Sequence, residues 1–369
     1  MANFSQPVNV FFGNEEINNL KDRLKEEGLK DAILVTGANV ERLGLAKRIE
    51  ALAEGLILET FVAKQPNASV QNIDQIVSRI KESGARTIIA VGGGSIIDLG
   101  KAAGAAYAHN VSGEELLTNF TIANSLPVVA IPTISGSGSE VTPYALIDGQ
   151  SKKHVLLESR ALYPVMAIVD PTLTYTTPPK VTAVSGIDVI VHALDSLGSL
   201  KSNMITESLA LRAARIAFEN LAAAVEDGND PYAREQMAMA SLLAGTAFSY
   251  TGTSGAYACS KVLVSRYNIP HGEACAFTLD TWYRVSAQVK PKLDDCAREM
   301  GFEDADILAD EFTRLKSLIG LRTTLEEIGV TEGELDELVA WTMATPNLGN
   351  AIANIGAEGV REVFLSKRA

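Results

Sequence analysis

Apolar and polar residues alternate along the first half of the chain in a way that predicts buried strands separated by helices. Short apolar runs bounded by turn residues predict strands at 31–37, 55–62, 85–91 and 127–132. Apolar residues at helical spacing predict helices at 69–83 and 95–108. Strands that alternate with helices favour a parallel sheet, and such sheets bind ligands at the carboxyl ends of their strands.

The pattern changes after Pro178-Pro179, where long segments rich in Ala, Leu and Glu begin and runs of β-branched residues become scarce. These segments predict helices at 203–225, 232–246, 290–300 and 304–319. We therefore expect an α/β domain over residues 1–176 and an all-helical domain over residues 177–369.

Composition narrows the classes of partner. The net charge of −13 argues against nucleic acids and anionic membranes as main partners, although it does not exclude an anionic substrate, because a few Lys or Arg residues can reverse the field at one site. We find neither a signal-peptide pattern at the N-terminus nor a run of about 18 apolar residues. Three cysteines without a CxxC pair favour reduced thiols and a cytoplasmic location; they are Cys259, Cys275 and Cys296.

Two glycine-rich segments each follow a predicted strand. In the first, Gly92-Gly93-Gly94-Ser95, the glycines open a predicted helix, where backbone N–H groups and positive potential favour a phosphate. The spacing of these glycines matches neither the dinucleotide fingerprint nor the P-loop. The alternative function of the segment is a tight strand-to-helix turn without a phosphate. The second segment, Pro132 to Glu140, is rich in Ser and Gly. Two such loops after neighbouring strands predict a dinucleotide site.

Asp188 and His192 are four residues apart in a segment with helical character, so their side chains should lie on one helix face. A carboxylate and an imidazole in this arrangement can share a divalent cation. The alternatives are an Asp–His hydrogen bond without a metal and a solvated helix face that carries an isolated histidine. His271, fixed between Pro270 and Gly272, is a plausible third ligand.

In this order and spacing the motifs resemble the group III, or iron-containing, alcohol dehydrogenases. The resemblance implies an α/β plus all-α architecture, in which a Rossmann-like parallel-sheet nucleotide domain precedes a helical metal and substrate domain, as in dehydroquinate synthase. It implies hydride transfer between NAD or NADP and a small alcohol or aldehyde, assisted by Fe²⁺ or Zn²⁺. It also implies a homo-oligomer, with metal and nicotinamide meeting in the cleft between the domains.

Residue by residue, the resemblance implies two sets of ligands. The expected cofactor contacts are Gly37, Asn67, Gly92, Gly93, Gly94, Ser95, Asp98, Thr133, Ile134, Ser137, Ser139 and Lys153. The expected metal ligands are Asp188, His192 and His271. Gly37 stands where many family members that use NAD carry an Asp that meets the ribose. Its lack of a carboxylate allows and slightly favours NADP(H), although NAD(H) stays open.

The chain departs from the family at two positions. The family's remaining ligand position is Tyr257, and a histidine linked to proton transfer is replaced by Lys261. Three arrangements follow: three protein ligands plus water, a weak or zinc-selective site, or no metal with Lys261 polarising the carbonyl. We expect Tyr257 or Lys261, or a water they hold, to relay the proton.

The substrate class is also left open. Simple aldehydes and diols are the first expectation from the resemblance. An anionic aldehyde such as phosphonoacetaldehyde is the second, since Lys261 could bind its charged group. A non-catalytic nucleotide-binding relative is the third, and only the replaced ligand supports it.

Overall fold

The computed structural model describes residues 4–64, 68–118, 120–150 and 155–368. The chain divides into two compact units. The N-terminal unit consists of Ser5–Ile134 and Gly138–Tyr175, and the C-terminal unit consists of Thr176–Ala369 with Phe4 and Ser135–Ser137. In the described ranges, no helix has both the length and the apolar character that a membrane span requires.

The N-terminal unit is built on a parallel sheet. Its described strands are β1 (Asn9–Phe12), β2 (Ala32–Gly37), β3 (Ile57–Ala63), β4 (Thr87–Gly92), β5 (Val128–Pro132), β6 (Tyr144–Ile147), β7 (Val155–Glu158) and β8 (Met166–Val169). Six of these described strands pair in parallel in the order β1-β8-β5-β4-β2-β3, and β6 and β7 form an antiparallel pair. The predicted parallel sheet is confirmed. The sequence pattern predicted β2 to β5 but not β1 and β8, which have four residues each.

Helices of the N-terminal unit connect these strands. Those described are α1 (Leu20–Glu26), α2 (Ala38–Arg42), α3 (Leu45–Leu52), α4 (Val70–Ser83), α5 (Gly94–His109) and α6 (Gly113–Leu116). The central helix α5 is buried over most of its length. Gly100 allows α5 to lie close to the sheet, because a Cβ atom there would stand 3.0 Å from the Cβ of Ala90 on β4.

The C-terminal unit is helical, as predicted. Its described helices are α7 (Pro179–Leu197), α8 (Met204–Glu226), α9 (Pro231–Thr251), α10 (Gly255–Tyr267), α11 (His271–Ala276), α12 (Leu279–Val289), α13 (Lys292–Glu299), α14 (Ala305–Leu318), α15 (Leu335–Met343) and α16 (Gly356–Leu365). Helix α7 is buried from Gly186 to Leu197. A Cβ atom at Gly186 would stand 2.3 Å from Leu221 Cδ1 on α8, so glycine permits this close helix contact.

One buried ion cluster joins several of these helices. Asp280 on α12 accepts from Lys316 Nζ on α14 at 3.0 Å and also from Lys367 Nζ. Burial alone would raise the pKa of Asp280, but the two lysines hold it below its usual range. Breaking such a buried pair costs about 3–5 kcal/mol, so we assign the cluster to the stability of the unit.

Candidate active site

The carboxyl ends of the parallel strands bring Gly37 and Gly92 to the same edge of the sheet, on the neighbouring strands β2 and β4. After β2 the chain continues to β3 on one side and then returns to β4 on the other side. Ligands of open parallel sheets bind at such a switch in strand order. The two glycines therefore lie where a nucleotide is expected to bind.

The turn from β4 into α5 depends on its glycines. A Cβ atom at Gly92 would stand 2.8 Å from Ile96 Cβ, and one at Gly93 would stand 3.0 Å from Ile134 Cδ1. Gly93 is the N-cap of α5 and makes no side-chain capping bond, while Ser95 in the first turn is exposed. The first N–H groups of a helix lack intrahelical partners, so this end of α5 can bind a phosphate.

The second glycine-rich loop is tied to the first. Thr133 N donates to the carbonyl oxygen of Gly92 at 3.0 Å. Ser139 Oγ donates to Asp98 Oδ1 at 2.5 Å and accepts from Lys101 Nζ at 2.9 Å. Asp98 and Ser139 therefore hold the loop against α5, and their contact with a nucleotide stays a prediction.

The remaining predicted cofactor contacts do not all lie in the N-terminal unit. Ile134 packs beside Gly93 in the N-terminal unit. Ser137 belongs to the C-terminal unit, where its neighbour Gly136 donates its N–H to Ser241 Oγ at 2.9 Å. Asn67 and Lys153 lie outside the described residues.

A polar cluster is buried in the C-terminal unit, and α7 supplies two of its members. As their spacing predicts, Asp188 and His192 lie on one face of the helix, with 3.8 Å between Asp188 Oδ2 and His192 Nε2. The two residues are only 6% and 4% exposed. The imidazole stacks on the ring of Phe248, with 4.1 Å between ring centroids. Burial lowers the pKa of His192, so the ring is neutral near pH 7.

Tyr257 on α10 joins this pair. Its hydroxyl donates to Asp188 Oδ1 at 3.0 Å and also contacts His192 Nε2. Burial, reinforced by the Asp188 charge, raises the pKa of Tyr257 well above its ordinary value. One arrangement of protons accounts for both contacts: the phenol donates to Asp188, and the Nε2–H of His192 donates to the phenol oxygen. Tyr257 is thus a neutral phenol, which is a poor metal ligand.

Helix α11 brings two more donors to Asp188. Cys275 Sγ lies 3.7 Å from His271 Nε2 on the same helix. The ligand atoms of Asp188, His271 and Cys275 all lie within 4.8 Å of one another. The structure therefore brings together two of the predicted metal ligands with a cysteine, whereas His192 is not part of this group. Burial, with the Asp188 charge next in size, raises the pKa of Cys275, so the thiol is protonated in this arrangement.

The approach of α11 to α7 depends on Gly272. A Cβ atom at this position would stand 2.0 Å from the carbonyl oxygen of Val184 and 3.0 Å from Asp188 Cβ. The next residue, Glu273, is buried and pairs with Arg322, with 2.6 Å from Nε to Oε1 and 2.8 Å from Nη2 to Oε2. This bidentate pair holds α11 in place.

A further carboxylate, Asp195, positions α10. Its Oδ2 accepts from the backbone N–H of Ser254, the N-cap of α10, at 2.5 Å, and Ser254 Oγ donates to Oδ1. Burial raises the pKa of Asp195 to about 6. Asp195 lies two turns after Asp188 on α7. Its contact with Ser254 could not be predicted from the sequence, because Ser254 is distant in the chain.

Lys261 lies on α10 one helical turn after Tyr257, so the two side chains leave the same face of the helix. The residue is exposed, and partial burial of its side chain lowers the pKa of the ammonium group. No carboxylate among the described residues forms an ion pair with it. The ammonium group is thus available to an external anion.

Comparison with known proteins identifies the family. Residues 7–171 match the model of the iron-containing alcohol dehydrogenases, and residues 182–367 match the C-terminal model of the same family. The chain belongs to the iron-containing alcohol dehydrogenase family. It is an oxidoreductase that acts on alcohols or aldehydes, as the sequence resemblance implied.

Three relatives of this family illustrate the range of similarity. The 1,3-propanediol dehydrogenase of Citrobacter freundii is 31% identical, over 96% of this chain and 95% of its own. Alcohol dehydrogenase 4 of Saccharomyces cerevisiae is 29% identical, over 93% of this chain and 92% of its own. A crystal structure of the sulfoacetaldehyde reductase from Bifidobacterium kashiwanohense, in complex with NAD⁺, has a TM-score of 0.96 and 34% identity, covering 100% of this chain and 99% of that one.

The Gly272→Ala variant tests whether the close contact between α11 and α7 creates the site. The added methyl group would collide with the Val184 carbonyl oxygen and displace His271 and Cys275 from Asp188. We expect kcat/KM for aldehyde reduction to fall by about 100-fold, because a misplacement of about 1 Å has this effect on reacting groups.

Gly349→Ala is the matched control, since a Cβ atom there meets nothing within 4 Å. Its kcat/KM should equal that of the unmodified enzyme. Full activity of a folded Gly272→Ala enzyme would show that the spacing of α11 and α7 does not set the geometry of the site.

Proposed function

We propose that this member of the family reduces a small aldehyde with a nicotinamide nucleotide as hydride donor. The hydride moves to the carbonyl carbon and a proton to the carbonyl oxygen, giving a primary alcohol and the oxidised nucleotide. The turn from β4 to α5 at the switch in strand order supports nucleotide binding by residues 1–176. The NAD⁺ complex of the sulfoacetaldehyde reductase is a further argument for this cofactor.

In this proposal Gly92 to Ser95 hold the pyrophosphate at the start of α5, and residues 177–369 hold the substrate. Tyr257 gives its hydroxyl proton to the substrate oxygen in this scheme. His192 Nε2, which contacts the same hydroxyl, then returns a proton to it. Asp188 orients the phenol by accepting from it at 3.0 Å.

The donor atoms near Asp188 fit the divalent ion that the family name implies. Asp188 and His271 offer oxygen and nitrogen within 4.8 Å of each other, a reach that one ion can span. Fe²⁺ and Zn²⁺ both accept such donors. A bound ion would polarise the substrate oxygen as a Lewis acid. The sequence resemblance also implies His192 as a ligand, and that role is the alternative to its proton transfer to Tyr257.

The substrate we propose is an aldehyde that carries an anionic group, and Lys261 is the observation that supports it. Its ammonium group is exposed, lies one turn from Tyr257 and has no carboxylate partner among the described residues. A sulfonate or phosphonate could bind it through charge-assisted hydrogen bonds. The similarity to a sulfoacetaldehyde reductase, at 34% identity, agrees with this class.

A neutral three-carbon substrate is the second candidate. The 31% identity to a 1,3-propanediol dehydrogenase favours it. In that case the ammonium group of Lys261 would serve proton transfer or polarise the carbonyl. If Lys261 binds an anion, removing its charge should lower kcat/KM for anionic aldehydes only. If Lys261 serves proton transfer, the same change should lower kcat/KM for all aldehydes.

The location and assembly of the protein also stay predictions. Cys259, Cys275 and Cys296 are buried free thiols, which agrees with the cytoplasmic location that we propose. Homo-oligomers are expected from the family resemblance.

The Lys261→Met variant separates the two substrate classes. Loss of a charged hydrogen bond to substrate costs about 1.5–3 kcal/mol, so we expect kcat/KM for sulfoacetaldehyde or phosphonoacetaldehyde to fall about 10- to 100-fold. The kcat/KM for propanal should change by less than about threefold, because propanal has no charge to bind. Steady-state oxidation of NADH or NADPH measures both.

Lys201→Met, at an exposed position of the same unit, is the matched control and should leave both substrates unaffected. An equal loss for anionic and neutral aldehydes in Lys261→Met would assign Lys261 to proton transfer and refute the anionic substrate. No oxidation of either nucleotide with any aldehyde would refute the proposed function as a whole.

The Gly37→Asp variant tests the cofactor preference. A Cβ atom at Gly37 would be 3.4 Å from Ile96 Cδ1, an ordinary contact, so the fold accommodates a Cβ atom at this position. A carboxylate at the end of β2 would repel a 2′-phosphate, and like charges in contact cost several kcal/mol. We expect kcat/KM for NADPH to fall at least about tenfold, with NADH little affected.

Gly37→Asn adds nearly the same volume without the charge and should retain the use of NADPH. Equal losses in the Asp and Asn variants would show that volume, and not charge, limits the nucleotide at this position.

A further inference from the structure

We propose that Cys275 is a metal ligand and that its thiolate forms, with Asp188 and His271, a three-residue site for a zinc-like divalent ion. This inference rests on one part of the proposed function, namely that a divalent ion binds at Asp188. The sequence did not reveal this role, because an isolated cysteine without a CxxC partner predicts a reduced thiol. The structure places the thiol beside two other donors.

The distances within the cluster suit one tetrahedral ion. Zinc binds a histidine nitrogen at about 2.0–2.1 Å and a cysteine sulfur at about 2.3 Å. At a tetrahedral angle these two atoms stand about 3.6 Å apart. Cys275 Sγ and His271 Nε2 are 3.7 Å apart, and Asp188 completes the group within 4.8 Å. An ion can therefore be added with little movement of the donors.

Two rigid helices fix these donors. His271 and Cys275 are four residues apart on α11, so both face the same direction, and Asp188 faces them from α7. Gly272 permits the close approach of the two helices. The donors are held by packed helices and by the ion pair between buried Glu273 and partly exposed Arg322, so they need little ordering when the ion binds.

Tyr257 explains why His192 is left out of the proposed ligand set. Its hydroxyl lies between Asp188 Oδ1 and His192 Nε2 and hydrogen-bonds to the carboxylate. The ring nitrogen that would face an ion is therefore occupied by the phenol. The sulfur of Cys275 provides the third protein ligand, and His192 remains the partner of Tyr257.

The charges of the proposed site balance. Binding displaces the thiol proton to solvent, and the thiolate and the Asp188 carboxylate together neutralise a 2+ ion. Charge balance suits Asp188, which is 6% exposed, and Cys275, which is fully buried, while His271 is exposed and opens the site to solvent. A thiolate beside an imidazole and a carboxylate favours zinc over magnesium or calcium. The fourth coordination position stays open for water or a substrate oxygen.

The test uses the full-length protein, stripped with chelator and titrated with Co²⁺ and then Zn²⁺. We expect one equivalent of metal ion to bind per protein chain. The cobalt form should show a thiolate-to-cobalt charge-transfer band in the near ultraviolet. Cys275→Ser should abolish the band and weaken Zn²⁺ binding by at least about 100-fold, since even loss of an outer-shell partner costs 10- to 100-fold. Both readouts are independent of catalysis.

Cys259→Ser is the matched control, because this buried thiol accepts from Trp282 Nε1 and is not part of the three-donor group. It should retain the band and the affinity. X-ray absorption of the zinc-loaded unmodified protein gives the same answer without a variant: one sulfur scatterer at about 2.3 Å is expected. It decides the question even if Cys275→Ser does not fold.

Three results would overturn the proposal: no ion bound, an ion bound without a sulfur ligand, or a charge-transfer band that survives in Cys275→Ser. Each is distinguishable from failure of the proposed function. An active aldehyde reductase without a sulfur-bound ion would refute only the site, whereas a zinc–sulfur site in a protein inactive on all aldehydes would refute only the reaction.

Discussion

A single buried carboxylate, Asp188, organises the chemistry of the C-terminal unit. It accepts a hydrogen bond from Tyr257 at 3.0 Å and faces the donors of His271 and Cys275 across a short gap. An isolated buried carboxylate is costly, so the groups around it are those that can compensate its charge: a phenol hydroxyl, an imidazole and the divalent ion that we propose. The close contact of α11 with α7 at Gly272 makes this convergence possible.

If Tyr257 stands at a family ligand position, as the sequence resemblance implies, its phenol changes the site without emptying it. A neutral phenol takes up one oxygen of Asp188 and contacts His192, so it adds a proton donor in the place of a metal donor. We propose that Cys275 supplies the metal donor instead. One site could thus keep both an electrophile and a source of protons, which reduction of a carbonyl requires. Lys261, one turn farther along α10, would add selectivity for an anionic substrate.

The sequence predicts most of the fold because its hydrophobic pattern is regular. Strands β2 to β5 and the long helices α4, α5, α8 and α9 have clear periodicity and were expected. Strands β1 and β8 were not, since four residues give too short a pattern, and their pairing joins distant parts of the chain. Local pattern reveals an element's type, whereas pairing across the chain depends on tertiary packing.

The same limit applies to the candidate site. The four-residue spacing of Asp188 and His192 predicts their shared face, and the structure places them there. The spacing of His271 and Cys275 is equally regular, but it did not predict a metal site, because a cysteine without a second cysteine nearby is usually a reduced thiol. Contacts such as Asp195 with Ser254 and Tyr257 with Asp188 join residues more than fifty positions apart, which no local pattern can predict.

We propose that a divalent ion binds between the Asp188 carboxylate and the two α11 donors. Anomalous diffraction at the zinc edge, from crystals of the unmodified protein grown with zinc, would locate this ion. We expect an anomalous peak about 2.3 Å from Cys275 Sγ and about 2 Å from His271 and Asp188. A peak held by Asp188, His192 and His271, with the sulfur out of bonding range, would contradict it.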